Sequence, residues 1–522
     1  MQNKVTDPDI SEEVIAAVSA PNLKLDAQQC IMTGRPDPCT IIIMGATGDL
    51  TSRKLMPALF NLYLNHGLPD AFLIVGSGRA QIGDQEFRTR MKSALKQAGA
   101  YDEVKWPTFA QAIHYRRTDL DDPESFKTLA QSLRTLDKQF NTGGNRIFYM
   151  ALPPLVYKAA AQMIGQAGLA AENTNGTGWS RVVVEKPFGR DLKTAEDLDE
   201  SLNRDFKEHQ IFRIDHFLAK ETVQNILMFR FANSLFEPIW NRRYIDSIRI
   251  TAVETIGVEH RAAYYEQAGV LRDMFQNHMM QLLSLTAMEP PSRFEAEYVR
   301  AEKVKVFRAL RPFSVDTLQD HLVLGQYAAG TIDGKPVPAY REEPGVSPDS
   351  LMPTFAAMNV YLDNWRWQGV PFLLTSGKRM RNKLTEISVR FKSVPHLMFR
   401  RTLEENIPAN QLVLGVYPDE KITLTFQTKN PGATVCLRTV TMDFHYDQNY
   451  SGPVLDAYEK VLIDCMLGDQ MLFWNQDGVE LCWKFLTPIL DRCETCDDQA
   501  ELLHFYEAGS KGPSTVDKIK LK

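Results

Sequence analysis

No stretch of about 18 consecutive apolar residues occurs in the chain, so no segment is suited to cross a bilayer as a helix. An excess of one charge is also missing: 59 Lys+Arg face 65 Asp+Glu, for a net charge of −6. That balance speaks against a general nucleic-acid binder, while leaving room for a local basic pocket that takes an anionic small molecule. Cysteine is sparse and odd in number, seven in 522 residues, which fits a reducing compartment better than a disulfide-built secreted protein. The opening segment MQNKVTDPDISEEVIAAVSAP has neither the basic start nor the apolar core of a secretory leader. A cytoplasmic protein is expected. Internal repeats and low-complexity tracts are lacking too, which removes solenoids and disordered linkers.

Hydrophobic residues at 44% and charged residues at 24% match an ordinary globular chain, one long enough to bury a core without staples. Length alone suggests roughly three to four domains. Cys493 and Cys496 form a C-x-x-C, but no second pair of ligands lies nearby and no zinc or other metal is expected. The apolar run before it, LCWKFLTPILDRC, reads as a helix rather than as the context of a redox motif.

Residues 1–38 are polar, with turn signals at Gly34 and Pro36, and read as a poorly ordered extension. From residue 39, short aliphatic runs alternate with helical stretches. TIIIMG, AFLIVG, RIFYMAL and RVVVEKPFG read as fully buried strands, and SFKTLAQSLRTLDKQF as one of the helices between them. This alternation predicts a parallel sheet covered on both faces. After about residue 213 longer, alternating strands follow one another: DSIRITAVE, EISVRF, QLVLGV, KITLTFQT and TVTMDFHY. They predict an α+β region, residues 214–522, with a large and mainly antiparallel sheet behind an α/β domain over 39–213.

The first strand runs into Gly45-Ala46-Thr47-Gly48-Asp49-Leu50 and then a helix. Glycines there let backbone N–H groups approach a pyrophosphate at a helix N-terminus. A complete G-x-G-x-x-G is missing, so the loop by itself also fits an ordinary strand–helix turn. The second strand ends in Ser77-Gly78-Arg79, basic where an NAD site would carry an acid. Arg79 suits a 2′-phosphate and hence NADP, or is a plain surface arginine.

Two further segments concentrate chemistry. RIDHFLAKE places His216 and Lys220 four residues apart, a pair suited to a phosphate or to a solvated helix start. In GVLRDMFQNHMMQLLSLTAM the apolar stripe Leu271, Met274, Phe275, Met279 and Leu282 has helical spacing, and His278 falls on it. Asp273 and Asn277 share an adjoining face. A histidine so placed is either a satisfied core residue or a general base held near neutrality.

The segments IIIMGATGDLTSRKL, IFYMALPPLVY, VVVEKPFGRDL, FRIDHFLAKE, GVLRDMFQNHMMQLLSLTAMEPP and VPFLLTSGK resemble, in order, the signature segments of glucose-6-phosphate dehydrogenases. The resemblance covers residues 40 to about 500. It implies a Rossmann-type coenzyme domain followed by a β+α domain whose sheet forms the subunit interface of a homodimer or homotetramer. It also implies glucose 6-phosphate as substrate and NADP as coenzyme, with NAD as a possible second acceptor, and neither metal, nucleic acid nor membrane as a partner.

By that resemblance Gly45, Thr47, Gly48, Asp49, Leu50, Arg79 and Tyr157 bind coenzyme. Lys186 touches coenzyme and sugar, and Pro187 is a cis-proline candidate. His216 and Lys220 hold the phosphate, and Glu254, Asp273, Lys378 and Lys383 complete the sugar site. His278 is the base and Asp215 the carboxylate that orients it. Three departures stand out. Phe217 replaces the family's usual tyrosine. Gly415 replaces an arginine, so a second, structural NADP site is not carried over, and Tyr417 replaces a glutamine, so one substrate contact is not carried over either. The region 167–178 reads as a loop insertion. A redox pair between Cys30 and Cys39 is not expected.

Overall fold

The computed structural model describes residues 35–172, 178–218, 221–396, 407–432, 437–445, 455–495 and 499–519. The aliphatic runs of the first half become β1 (Cys39–Met44), β2 (Phe72–Gly78), β4 (Arg146–Met150) and β5 (Ser180–Val184). Two more strands, β3 (Ile113–Arg117) and β6 (Ile211–Arg213), complete a parallel sheet in the order β3-β2-β1-β4-β5-β6.

Alternate residues of these strands enter two separate cores. Ile42, Met44, Phe148, Met150, Val182 and Val184 face one, while Ile41, Ile43, Ile147, Tyr149 and Val183 face the other. A strand buried on both sides has no polar face to show, and its sequence is a continuous apolar run. Helix Pro123–Phe140 starts where the Asp122 carboxylate accepts the Glu124 N–H at 3.1 Å and proline occupies the first turn. Strand order reverses between β1 and β4, and at such a switch point the carboxyl ends of the strands open a crevice.

The second sheet has nine strands. Its members are β7 (Ile245–Val253), β8 (Leu322–Ala328), β11 (Phe355–Val360), β12 (Phe372–Gly377), β13 (Leu384–Phe391), β14 (Gln411–Tyr417), β15 (Lys421–Lys429), β16 (Leu437–His445) and β17 (Leu503–Glu507). Between β8 and β11 a small ribbon pairs β9 (Gly330–Ile332) with β10 (Lys335–Val337). The large sheet runs β16-β15-β14-β13-β7-β12-β11-β8-β17. Only β7–β12 and β8–β17 pair in parallel; the other neighbours are antiparallel. The fold is thus the expected α/β layer followed by a large, mainly antiparallel sheet.

Ile248, Ile250, Met358, Leu374 and Ile387 from this sheet share a core with Met279, Leu282, Leu283 and Trp483 from the helices. At the far edge that cover ends. The residues of β15 are nearly all half-buried, and on β16 the large side chains of Met442 and Phe444 are exposed. Helix Ala457–Leu467 returns to the first sheet, where Val461, Leu462, Ile463 and Met466 pack with Ile41 and Ile43. Arg181 fixes that return by donating to the carbonyls of Cys465 and Met466 at 2.6 and 2.7 Å.

Among the described residues no helix is long and apolar enough to cross a membrane. Cys39 is fully buried on β1, and burial pushes its thiol up to about 12. Cys493 is buried in helix Gln476–Thr495. Cys30, Cys496 and residues 173–177 lie outside the described residues.

Candidate active site

Most of the residues singled out from sequence leave the carboxyl ends of strands. The loop Gly45–Leu50 follows β1, Arg79 follows β2, Lys186 follows β5 and Asp215 follows β6. In the second sheet Glu254 follows β7 and Lys378 follows the adjacent parallel strand β12. Their shared register brings Lys378 Nζ to 2.7 Å from Glu254 Oε2.

The loop after β1 has a backbone that only glycine serves well. Gly45 has φ +82°, and a Cβ built on it would lie 2.3 Å from the Ala151 carbonyl oxygen on the neighbouring turn. Its N–H and that of Ala46 donate to the Ser77 carbonyl at 2.8 and 3.0 Å, which ties the loop to the end of β2. Thr47, Gly48 and Asp49 are exposed, Leu50 is half-buried, and Arg79 is exposed beside them. A tight glycine turn at a helix start, at the switch point, with an exposed arginine at the end of β2, fits a dinucleotide carrying a 2′-phosphate. Tyr157 opens helix Tyr157–Gln166, with its side chain buried in the core.

His278 lies at the centre of a line of polar groups. Its Nδ1 is 2.6 Å from Asp215 Oδ1, and its Nε2 is 2.9 Å from Lys186 Nζ. Asp215 Oδ1 also accepts the Phe217 N–H at 3.1 Å. Burial works against the Asp215 charge, yet His278, then Lys186 and His216, hold its carboxyl down to about 2. Asp215 is therefore an acceptor and the Lys186 ammonium a donor. The ring proton then belongs on Nδ1 and the lone pair on Nε2.

Asp273 completes the line on the other side of Lys186. Lys186 Nζ donates to the Asp273 carbonyl at 3.2 Å and lies 3.6 Å from its Oδ1. Arg261 and the Tyr264 hydroxyl approach the same oxygen at 3.4 and 3.2 Å. Against burial, Lys186, Arg261 and Lys378 keep this carboxyl well below the usual range. The Lys186–Pro187 peptide bond is cis, as the sequence suggested.

The helical segment that carries Asp273 and His278 is not the α-helix its apolar spacing predicts. Leu271–Met279 is a π-helix, entered after a break at Gly269 (φ +57°) and left into the α-helix Met280–Ala287. Hydrogen bonds to the fifth residue widen the turn, so residues five apart lie nearly on one side. That geometry, rather than the four-residue relation of Asp273 to Asn277, brings Asp273 and His278 to the same lysine. Asn277 instead turns back on the backbone: its amide donates to the Arg272 carbonyl at 3.2 Å, and its oxygen accepts the His278 N–H at 2.6 Å.

Phe217 packs its ring 4.9 Å from the His278 ring. His216 lies 5.7 Å from His278 and stacks on Tyr458 at 6.0 Å. Lys383 sits at the start of β13, at the same sheet end as Lys378, but its Nζ lies over the Tyr417 ring at 4.2 Å. No described contact joins Lys383 to the His278 cluster. Lys220 lies outside the described residues.

Sequence reasoning missed Arg261, Tyr264 and Glu185. Glu185, immediately before Lys186, accepts the Tyr149 hydroxyl at 2.6 Å. Its carboxyl is raised mainly by burial, with Asp215 adding to the rise while Tyr149 and Lys186 oppose it. Only adjacency to a lysine inside a strand-end motif could have pointed to it.

Comparison with known proteins gives the same picture. Residues 42–225 match the family model described as "Glucose-6-phosphate dehydrogenase, NAD binding domain", and residues 227–522 match its C-terminal domain. The glucose-6-phosphate 1-dehydrogenase of Aggregatibacter actinomycetemcomitans is 44% identical over 489 residues, covering 94% of this chain and 97% of that protein. That of Bacillus subtilis is 42% identical over 490 residues, covering 94% and 98%. A solved glucose-6-phosphate dehydrogenase in complex with its substrate glucose-6-phosphate superposes with a TM-score of 0.84 at 34% identity, covering 94% of this chain and 98% of that one. A structure from Mycobacterium avium gives 0.78 at 30% identity, with 93% and 97% covered. This chain belongs to the glucose-6-phosphate dehydrogenase family.

Proposed function

We propose that this chain oxidises glucose 6-phosphate at C1 to 6-phosphoglucono-1,5-lactone with NADP, the opening step of the oxidative pentose phosphate route, and that His278 is its general base. The observation that carries the reading is the row Asp215–His278–Lys186, with contacts of 2.6 and 2.9 Å.

In this reading His278 Nε2 takes the proton of the C1 hydroxyl as the C1–O bond becomes a carbonyl. Bound NADP, held by the loop after β1 and by Arg79, would supply the acceptor for the C1 hydride. Asp215 keeps the ring proton on Nδ1 and offsets the positive charge that forms on the imidazole. Phe217 presses on the ring face and holds its plane. Lys186 gives its place at Nε2 to the substrate hydroxyl and, held by Asp273, stays beside C1.

Glu254, Asp273, Lys378 and Lys383 would bind the sugar, and His216 with Lys220 its phosphate. Gly45, Thr47, Gly48, Asp49 and Leu50 would cradle the pyrophosphate, with Arg79 on the 2′-phosphate. Tyr157, at the start of helix Tyr157–Gln166, would complete the coenzyme side of the site. The half-covered strands β15 and β16 favour a homo-oligomer built through the large sheet. Cys39, Cys465 and Cys482, buried and outside any disulfide among the described residues, suit the cytoplasm.

The test is NADPH absorbance on adding glucose 6-phosphate, for wild type beside His278→Asn. Wild type should form NADPH, and the variant should be slower by about 10²–10⁴-fold. An inactive wild type overturns the reaction, and an undiminished variant overturns the role of His278.

A further inference from the structure

Strand β3, IHYRR, ends in two arginines that the fold treats differently. Arg116 is tied in: its Nε donates to Ser132 Oγ at 2.5 Å, and its Nη1 donates to the Tyr115 carbonyl at 2.6 Å and to Asp84 Oδ1 at 3.0 Å. Asp84 is occupied further by His114 Nδ1 at 2.8 Å and by the Tyr115 N–H at 2.7 Å. Successive residues of a strand point to opposite faces, so Arg117 leaves on the side away from Arg116. Arg117 is exposed, and no carboxylate pairs with it among the described residues. The same holds for Arg79.

Strand pairing puts these two arginines at one place. Gly78 of β2 is in register with Arg117 of β3, and Arg79 follows Gly78 directly. The Thr118 N–H donates to the Gly78 carbonyl at 2.9 Å, and the Ser77 and Thr118 hydroxyls lie 2.6 Å apart, which locks the two strand ends together. Gly78 also joins this edge to the loop after β1. A Cβ built on it would lie 3.4 Å from the Tyr115 hydroxyl and 4.0 Å from the Ala46 nitrogen. The carboxyl ends of β1, β2 and β3 therefore present the glycine turn, Arg79 and Arg117 side by side. Like charges on neighbouring strands repel, so two arginines without acids cost the empty fold something. A phosphate monoester between them would remove that cost and give each guanidinium an oxygen pair to match its fork.

We propose that Arg117 is a specificity-determining residue of the coenzyme site, the second arm of a two-arginine clamp that holds the 2′-phosphate of NADP together with Arg79. The inference rests on the reading of this sheet end as the coenzyme site. Arg79 meets the phosphate from the end of β2, and Arg117 meets it from the outer flank, on β3. A coenzyme with a plain 2′-hydroxyl leaves both cations unmatched. Selection against NAD then comes from two unrelieved charges as well as from the contacts that NADP gains.

The experiment is calorimetric titration of the whole protein with adenosine 2′,5′-bisphosphate and with adenosine 5′-monophosphate, which differ only in the 2′-phosphate. Wild type should bind the bisphosphate more tightly. Arg117→Ala should weaken bisphosphate binding by about 10–100-fold, the worth of one charge-assisted contact, and leave the monophosphate unchanged. Arg117→Lys, which keeps the charge, should retain most of the preference. An Arg117→Ala protein that binds both probes as wild type does, or loses both equally, overturns the proposal. A wild type that binds the two probes equally overturns the NADP reading, and this inference with it. A preference lost in Arg79→Ala but kept in Arg117→Ala overturns the role of Arg117 alone. The titration needs no turnover, so its outcome is separate from that of His278→Asn, which decides the sugar chemistry.

Discussion

Lys186 Nζ stands 2.9 Å from His278 Nε2, on the side of the imidazole opposite Asp215. In the proposed reaction, the nitrogen that would receive the substrate proton is already met by an ammonium, which the Asp273 carbonyl also holds at 3.2 Å. The lysine thereby orients the lone pair before the sugar arrives. Lys186→Gln keeps a donor but removes the charge. Steady-state kinetics should show kcat/KM for the sugar falling by about 10–100-fold, the worth of one charge-assisted hydrogen bond. An unchanged kcat/KM would remove Lys186 from the site.

Asp215→Asn should cost activity by about 10²–10⁴-fold, because an amide no longer fixes the imidazole tautomer. It should also change the pH dependence of stability. The Asp215 carboxyl is lowered in the fold to about 2 from an ordinary 3.8. Its ionised form therefore stabilises the fold fully above the ordinary value, and that contribution is lost as pH falls through the lowered one. Denaturant unfolding should show wild type ahead of the variant by about 2 kcal/mol near neutrality, with the gap closing between about pH 4 and pH 2. A gap constant across that window would contradict the assignment.

Arg79 is exposed at the end of β2, beside the loop that Gly45 opens. Arg79→Ala should raise KM for NADP by about 10–100-fold and leave KM for NAD nearly untouched, since only NADP carries the 2′-phosphate. Initial rates with each coenzyme check this. A wild type that prefers NAD at equal concentration would sink the NADP assignment.

Lys303→Met should stabilise the protein. The lysine is lowered by burial to about 7 from an ordinary 10.5, so its charged form is disfavoured in the fold. The resulting cost is greatest below the lowered value and fades as pH rises toward the ordinary one. Replacing the side chain by an apolar one of similar length should raise stability by a few kcal/mol below about pH 7, with the gain vanishing near pH 10. Thermal melts across that range would reveal it, and a destabilised variant at pH 6 would refute it.

The α/β half was legible because a strand buried on both faces leaves a run such as TIIIMG that fits little else. Strand β3, IHYRR, escaped notice because a strand at the sheet edge alternates and carries charge. EKPFG lies beyond β5 rather than within it, since the turn there serves the site rather than the sheet. His278 was legible as a polar residue on an apolar stripe. Its neighbours Asp215, Lys186 and Asp273 came from the resemblance and not from spacing, because the stripe Leu271, Met274, Phe275 and Met279 satisfies α spacing while the backbone adopts a wider turn. The helix also buries Gln276, Asn277 and Gln281, so no polar face marked its orientation. Lys303 carried a similar signal, a polar side chain on a buried stripe, and went unnoticed in the sequence.

The wide-turned segment Leu271–Met279 has a consequence for how such a site is counted along a chain. Asp273 and His278 are separated by one residue more than an ordinary helix needs to align two side chains. A shorter chain lacking that surplus residue, wound as a normal α-helix, would present the same acid and the same imidazole to the same lysine. The number of residues between acid and base is then a poor fingerprint of this centre. What persists is the direction in which the two side chains leave the helix.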